Sequence, residues 1–306
     1  MAFADGNIEF ATTPDGAKLR IGHWPAPRDD GPGRVLLLQG RTEFLEKYIE
    51  VIDELGARGF EIWALDWRGQ GLSDRLLENR HKGHIDRFET FLDDLHWFAN
   101  AVVPLTGKRR TVVLAHSMGG HIAMRAMLEG RLRPERAVLS APMFDLPVSG
   151  IKRMGARLLA ATATGLGAGG VYVPGMGDYE AGERTFEGNP FTGDRTRFDR
   201  MRAAVAANTD LALGGATLGW SYAAFKSIDT LERLSQEAPD ICPVLVCSGL
   251  SDRVVSVPAH RDMAAQLEAC TCLGFEGAQH EILIETDPLR EKFWEAFDEF
   301  VSASEL

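Results

Sequence analysis

Residues Thr111 to Leu128 constrain this chain more than any other stretch. Thr111-Val112-Val113-Leu114 is a run of β-branched and aliphatic side chains, the mark of a strand buried on both faces. His121 to Leu128 has helical composition and no breaker. Between them, Ala115-His116-Ser117-Met118-Gly119-Gly120 leaves one serine in a turn among small residues. A strand that turns sharply into a helix holds such a serine at the carboxyl end of a sheet with its hydroxyl exposed. The positions two before and two after it must be small, because strand and helix crowd there. The pattern is G-x-S-x-G with Ala115 in its first position. An incidental serine in an ordinary strand–turn–helix also fits the pentapeptide, so the rest of the chain has to decide.

The surrounding pattern predicts an α/β fold. Ile8–Thr13 and Ala17–Trp24 read as a hairpin joined by Pro14-Asp15-Gly16. Strands then alternate with helices: strand 34–39, helix 44–58, strand 61–66, helix 84–103, the Ser117 strand and its helix, and strand 136–140. The rhythm resumes with strand 243–248, helix 258–268, strand 271–275 and a closing amphipathic helix, 287–301. Short loops between such elements predict a mostly parallel, eight-stranded sheet with helices on both faces. Residues 147–238 break the rhythm, with helical pieces and no convincing strand. They read as a helical cap or lid inserted after the sixth strand, between core segments 1–146 and 239–306. Ligands bind at the carboxyl edge of such sheets, where a cap would shape an apolar pocket and exclude water.

A formal net charge of −11 over 306 residues argues against nucleic acid and against electrostatic docking on anionic membranes. Cys242, Cys247, Cys270 and Cys272 lack zinc or redox spacing and read as free thiols in a reducing cytosol. The first residues show no signal-peptide pattern, and no apolar run reaches transmembrane length. A cytoplasmic protein is expected. Neither a metal nor another cofactor is expected, because the histidines show no ligand spacing.

A serine hydroxyl is a weak nucleophile until a base takes its proton and a third group orients that base. Asp252 follows the strand 243–248, and His280 lies on the loop after strand 271–275. The chain order Ser, acid, His then matches the elbow. Asp145, at the end of strand 136–140, is the competing acid. His116 is expected to pack under the site, His121 to lie on a helix face, and His84 to start a helix or tether a loop. Glu281 is expected as a solvated carboxylate or one supporting the site from behind. Two backbone N–H groups are needed for a developing oxyanion, and Met118 and Arg41 are the candidates. Gly40 lets the backbone beside Arg41 approach closely. The Arg41 side chain has two readings, contact with a polar or anionic part of a substrate, or a surface salt bridge. The loop 66–73 contains Gly69-x-Gly71 but no third glycine opening a helix. It reads as a brace under the site rather than a dinucleotide loop.

These residues carry a family resemblance. Gln39-Gly40-Arg41-Thr42-Glu43, Asp66-Trp67-Arg68-Gly69-Gln70-Gly71-Leu72-Ser73, Ala115–Gly120, Gly249–Val255 and Gly277–Ile282 resemble segments of bacterial lysophospholipases and monoacylglycerol lipases of the α/β-hydrolase superfamily. Asn189-Pro190-Phe191-Thr192 and Gly214–Trp220 do so within 147–238, so the resemblance spans most of residues 8–301. It implies a catalytic set of Ser117, Asp252 and His280, with oxyanion donors at Arg41 and Met118. It also implies cleavage of small ester or lipid substrates through an acyl-enzyme. Many members have His where this chain has Gln39, and Gly where it has Ala115. The first departure favours the lysophospholipase-like branch. Amidase or peptidase chemistry uses the same residues and stays open, as does ligand binding without catalysis on this fold. The segment from Ile151 to Leu159 is a candidate for transient membrane contact, or else a helix packed on the core.

Overall fold

A computed structural model describes residues 6–28, 31–103, 109–181, 185–237 and 240–303. The first five residues and the expected boundary at 238/239 lie outside the described residues. Eight strands form one sheet: β1 (Asn7–Thr12), β2 (Lys18–Trp24), β3 (Arg34–Leu38), β4 (Glu61–Leu65), β5 (Thr111–His116), β6 (Arg136–Ser140), β7 (Val244–Gly249) and β8 (Cys270–Phe275). Their order is β1-β2-β4-β3-β5-β6-β7-β8. β1 pairs antiparallel with β2 and β2 with β4, while every other pairing is parallel. The expected mostly parallel, eight-stranded sheet is observed.

The central strands are apolar throughout because both of their faces are covered. Val35, Leu37, Val112 and Leu114 point to a layer that includes Val51, Ile52, Phe293 and Phe297, from helices α1 (Ile49–Ala57) and α8 (Asp287–Ser302). Leu36, Leu38, Val113 and Ala115 point the other way. There they meet Leu92, Leu95, Ile122 and Met263 from α2 (Glu89–Trp97), α3 (Met118–Leu128) and α7 (Val257–Gln266). The alternation with period two is the pleat of the strand read in side chains.

Two helices begin later than expected. The stretch from Phe44 opens with a 3-10 turn, Leu45–Tyr48, before α1. The helix expected from His84 starts at Glu89 and ends in a π-turn, Phe98–Val102. The reason lies in tertiary bonds. Gly83 forms a bridge with Ala216, and the His84 ring bonds Thr217 Oγ1 through Nδ1 at 2.7 Å and Asp86 through Nε2 at 3.0 Å. These contacts hold 83–86 away from helical geometry, so His84 tethers a loop.

Between β6 and β7 the chain runs through α4 (Gly150–Gly165), α5 (Arg195–Ala207) and α6 (Leu218–Gln236). Asp194 and Thr217 cap α5 and α6 by accepting from the N–H groups of Arg197 at 2.8 Å and Trp220 at 3.2 Å. α6 packs Trp220, Ala223, Ala224 and Leu231 into the layer that holds α3. α5 is tied to α1 by charge: Arg197 forks onto both oxygens of Glu50, at 2.8 and 2.7 Å, and Arg200 and Arg290 reach the same carboxylate at 2.9 Å each. The hydrogen bond from Arg197 is the main influence on Glu50. Burial opposes it and the neighbouring guanidinium charges add to it, so the carboxyl is held at about 2.

A depressed carboxyl contributes stability in full above its unfolded value, about 4.3, and loses it as pH falls through the folded value. The melting-temperature gap between the native protein and Glu50→Gln should therefore be widest above about pH 5 and close toward pH 2. Melts across that range at low salt check this, and a gap independent of pH would contradict it.

Candidate active site

Ser117 joins β5 to α3 with φ 51° and ψ −116°. Among the described residues, the other non-glycine positions with positive φ are Thr42 (66°) and Ala141 (44°), which follow β3 and β6. All three lie at the carboxyl edge of the sheet, where unusual backbone is stored at functional sites. The elbow is held by the Ser117 N–H donating to Ser140 O at 3.0 Å, and by Ser117 O accepting from Met143 at 2.9 Å. Gly119 shows why the fifth residue of the motif is small. A Cβ there would lie 2.4 Å from Gln39 O and 2.5 Å from Leu38 O.

His280 and Asp252 are brought to Ser117 by the loops after β8 and β7. The ring Nδ1 of His280 lies 2.7 Å from Asp252 Oδ2, and Nε2 lies 2.9 Å from Ser117 Oγ. A carboxylate can only accept, so Nδ1 carries the proton and Nε2 is left to accept from the serine hydroxyl. Asp252 Oδ1 accepts from the N–H groups of Val254 at 2.7 Å and Val255 at 3.1 Å. Burial pushes the Asp252 carboxyl up, but the His280 bond and charge and the two N–H groups outweigh it. The net shift is downward, and Asp252 stays ionised. The competing acid, Asp145, instead accepts from Arg153 Nη1 at 2.6 Å and from the Leu146 N–H at 2.8 Å.

The oxyanion candidates flank the serine. Met118 is the first residue of α3, where N–H groups have no intrahelical acceptor. Arg41 sits in the Gln39–Glu43 loop, which is braced from the 66–73 loop as expected. Gln70 Nε2 donates to Gly40 O at 2.7 Å and Gln70 Oε1 accepts from the Thr42 N–H at 3.3 Å, while Trp67 Nε1 donates to Gln39 O at 2.8 Å. The Arg41 guanidinium donates to Gly214 O at 3.0 Å and lies 5.2 Å from the centre of the Trp220 ring. It thereby connects the Gln39–Glu43 loop to the segment between β6 and β7.

A cavity of about 490 Å³ opens over Ser117 and His280. Its walls are mainly apolar, with Leu146, Val148, Leu159, Val173, Met176 and Phe225 among them, and Arg41 is the one lysine or arginine on its lining. Glu43, His116 and Glu281 border it on one side.

Glu281 takes the second of its two expected places, behind the site rather than in solvent. It is buried, and its Oε1 lies 2.7 Å from Lys47 Nζ, which also donates to Glu43 Oε1 at 2.5 Å. Glu43, His116 and Glu281 bring ligand atoms within 4.8 Å of one another, the spacing of a metal site. The Lys47 ammonium already bridges both carboxylates and satisfies their need for a cation. His116 packs under the site as expected, with Nδ1 bonded to Ser140 O at 3.1 Å. Burial, with the charges of Lys47 and His280 adding and that of Glu43 opposing, pushes its pKa down to about 3, so the ring is neutral. His121 lies on a helix face as expected, the fully buried face of α3, and is bonded to Met143 O at 2.9 Å and Ser227 Oγ at 2.5 Å. Nothing in the sequence marks Lys47 or Tyr48 as part of the site. The one signal was that Glu43 and Gln70 stand inside segments carrying the family resemblance.

The comparisons with known proteins agree with this architecture. A family model described as serine aminopeptidase, S33, matches residues 30–287. Lysophospholipase L2 of Escherichia coli is 31% identical over 263 residues, covering 84% of this chain and 76% of that protein. The chain belongs to the serine aminopeptidase S33 family. A probable lysophospholipase L2 of Haemophilus influenzae is 28% identical over 286 residues, covering 93% of this chain and 88% of that one. A soluble variant of Saccharomyces cerevisiae monoglyceride lipase superposes with a TM-score of 0.77 at 19% identity, over 97% of this chain and 95% of that one. This S33 chain therefore has the α/β-hydrolase fold, with relatives named for lysophospholipid and monoglyceride cleavage.

Gly119→Val should cost about 1–3 kcal/mol, because its Cβ meets backbone carbonyls rather than a movable side chain. It should also weaken reaction with a serine-directed fluorophosphonate. Denaturant unfolding and gel-based labelling check both, and wild-type stability would contradict the crowding argument.

Proposed function

We propose that this protein is a serine hydrolase of carboxylic esters, acting on single-chain lipid esters of the lysophospholipase or monoacylglycerol type. The observation that carries the reading is the Ser117–His280–Asp252 hydrogen-bonded chain on the floor of an apolar cavity. His280 Nε2 takes the proton as Ser117 Oγ attacks the ester carbonyl. Asp252 holds the ring in the required tautomer and offsets the imidazolium charge. The N–H groups of Arg41 and Met118 receive the oxyanion, and one such donor is typically worth about 3 kcal/mol in the transition state. His280 then protonates the leaving alcohol, and an acyl chain remains on Ser117 among the apolar walls. Water, activated by the same histidine, releases the acid.

The cavity favours esters over the aminopeptide substrates that the family description suggests. A free α-ammonium needs an acidic receptor, and the two carboxylates at the cavity wall, Glu43 and Glu281, are already paired with Lys47. In this reading residues 147–238 act as a cap over core segments 1–146 and 239–306. The helix α4 presents Ile151, Met154 and Leu158 outward, 83%, 66% and 67% exposed, while the adjacent Leu159 lines the cavity. An apolar face that continues into an acyl pocket suits brief contact with a lipid surface during substrate uptake. With a net charge of −11, a zwitterionic or neutral surface fits better than an anionic one. No helix among the described residues is long and apolar enough to cross a membrane. The four cysteines are all unpaired, as suits a reducing compartment, and the reading takes the cytoplasm as the site of action.

Ser117→Ala should abolish turnover of a p-nitrophenyl ester, a lysophospholipid and a monoacylglycerol while leaving the melting temperature within a few degrees. Retained turnover would refute the nucleophile. In a substrate panel, preferred cleavage of aminoacyl amides would favour the peptidase alternative. Leu158→Glu should slow hydrolysis of a vesicle-borne lysophospholipid several-fold and leave a short soluble ester untouched. Equal effects on both substrates would remove the lipid-surface role.

A further inference from the structure

The buried cluster beside the site has a geometry that the ester-cleaving reaction as described does not use. Lys47 Nζ lies 2.5 Å from Glu43 Oε1 and 2.7 Å from Glu281 Oε1, and the Lys47 and Glu43 side chains are each 3% exposed. Glu43 ends the loop that carries Arg41. Its other oxygen accepts from the Gly40 N–H, one residue before the oxyanion candidate, and from Tyr48 O–H at 2.6 Å. Glu281 follows His280 directly, and its own N–H donates to Phe191 O at 2.8 Å. The two loops leave the sheet after β3 and after β8, on opposite sides of the serine. Among the described residues no backbone hydrogen bond joins them.

We infer that Lys47 is a positioning residue: its ammonium, bridging Glu43 and Glu281, fixes the loop bearing the Arg41 N–H at a set distance from the loop bearing His280. The inference rests on the serine-hydrolase reading. The oxyanion donors must sit about 3 Å from an oxygen that exists only in the transition state, and the base must sit within reach of the serine on the other side. Each loop alone is held by its own neighbours, so their mutual spacing depends on what spans them. An ion pair in a water-poor site is stiff and strongly attractive, which suits it to that task. The same two carboxylates explain why the lysine is not a general base. Burial pulls its pKa down, but the charges and hydrogen bonds of Glu281 and Glu43 outweigh it and raise the net value. The charged or titratable groups around His280 are then Asp252, Glu43, Glu281, Lys47, Tyr48 and the neutral His116, whose ring centre lies 4.8 Å from that of His280.

Lys47→Met alone strands two buried carboxylates and risks unfolding. The balanced pair Lys47→Met with Glu281→Gln removes one positive and one negative charge and leaves the Gly40 and Tyr48 bonds to Glu43 in place. The probe is a soluble p-nitrophenyl ester, with rates expressed per serine titrated by a fluorophosphonate. The pair should lower kcat about ten- to a hundredfold, leave KM within about twofold, and leave the acid limb of the kcat/KM profile unmoved because the local net charge is unchanged. Wild-type kcat per titrated serine, even with a lowered melting temperature, would make Lys47 merely structural and overturn this inference alone. A shifted acid limb with full kcat at its new plateau would overturn it in favour of electrostatic tuning. Failure of the unmodified protein to react with the fluorophosphonate would overturn the serine-hydrolase reading and this inference with it.

Discussion

The close approach of α3 to the end of β3 governs the geometry of this site. Gly119 sits against the carbonyls of Leu38 and Gln39, closer than any Cβ would allow. That contact places the first turn of α3, which begins at Met118, beside the loop that continues from β3. It also forces the chain to turn within a single residue, and Ser117 takes the positive φ that results. The positive φ at Ser117 and the glycine two residues on thus belong to one packing distance.

A second constraint is electrostatic. The site concentrates Asp252, Glu43 and Glu281 around His280 in a region with little water. Each carboxylate is met by specific partners: His280 and two backbone N–H groups for Asp252, Lys47 with the Gly40 N–H and the Tyr48 hydroxyl for Glu43, and Lys47 for Glu281. Unmet, any one of them would protonate or disrupt the fold.

The fold was legible in the sequence because its central strands are covered on both faces and read as uninterrupted apolar runs. Ser117, Asp252 and His280 were legible as candidates because each follows a strand, and strand ends are readable even when side-chain contacts are not. The start of the helix after His84 was misread, since the bridge at Gly83 and the Thr217 bond are long-range and leave no local mark. Lys47, and the choice between the two places open to Glu281, are illegible for a related reason. A glutamate and a lysine four apart, as at Glu43 and Lys47, are the commonest pattern of an exposed helix. Only the fold reveals that Glu281, distant in sequence, closes over the same ammonium.

The central claim is that Ser117 is the nucleophile, and mass spectrometry tests it most directly. The intact protein is incubated with a fluorophosphonate, digested and mapped. One adduct is expected, on the peptide containing Ser117, formed in the native protein and absent after denaturation before labelling. An adduct on any other residue, or none on a folded protein, would contradict it.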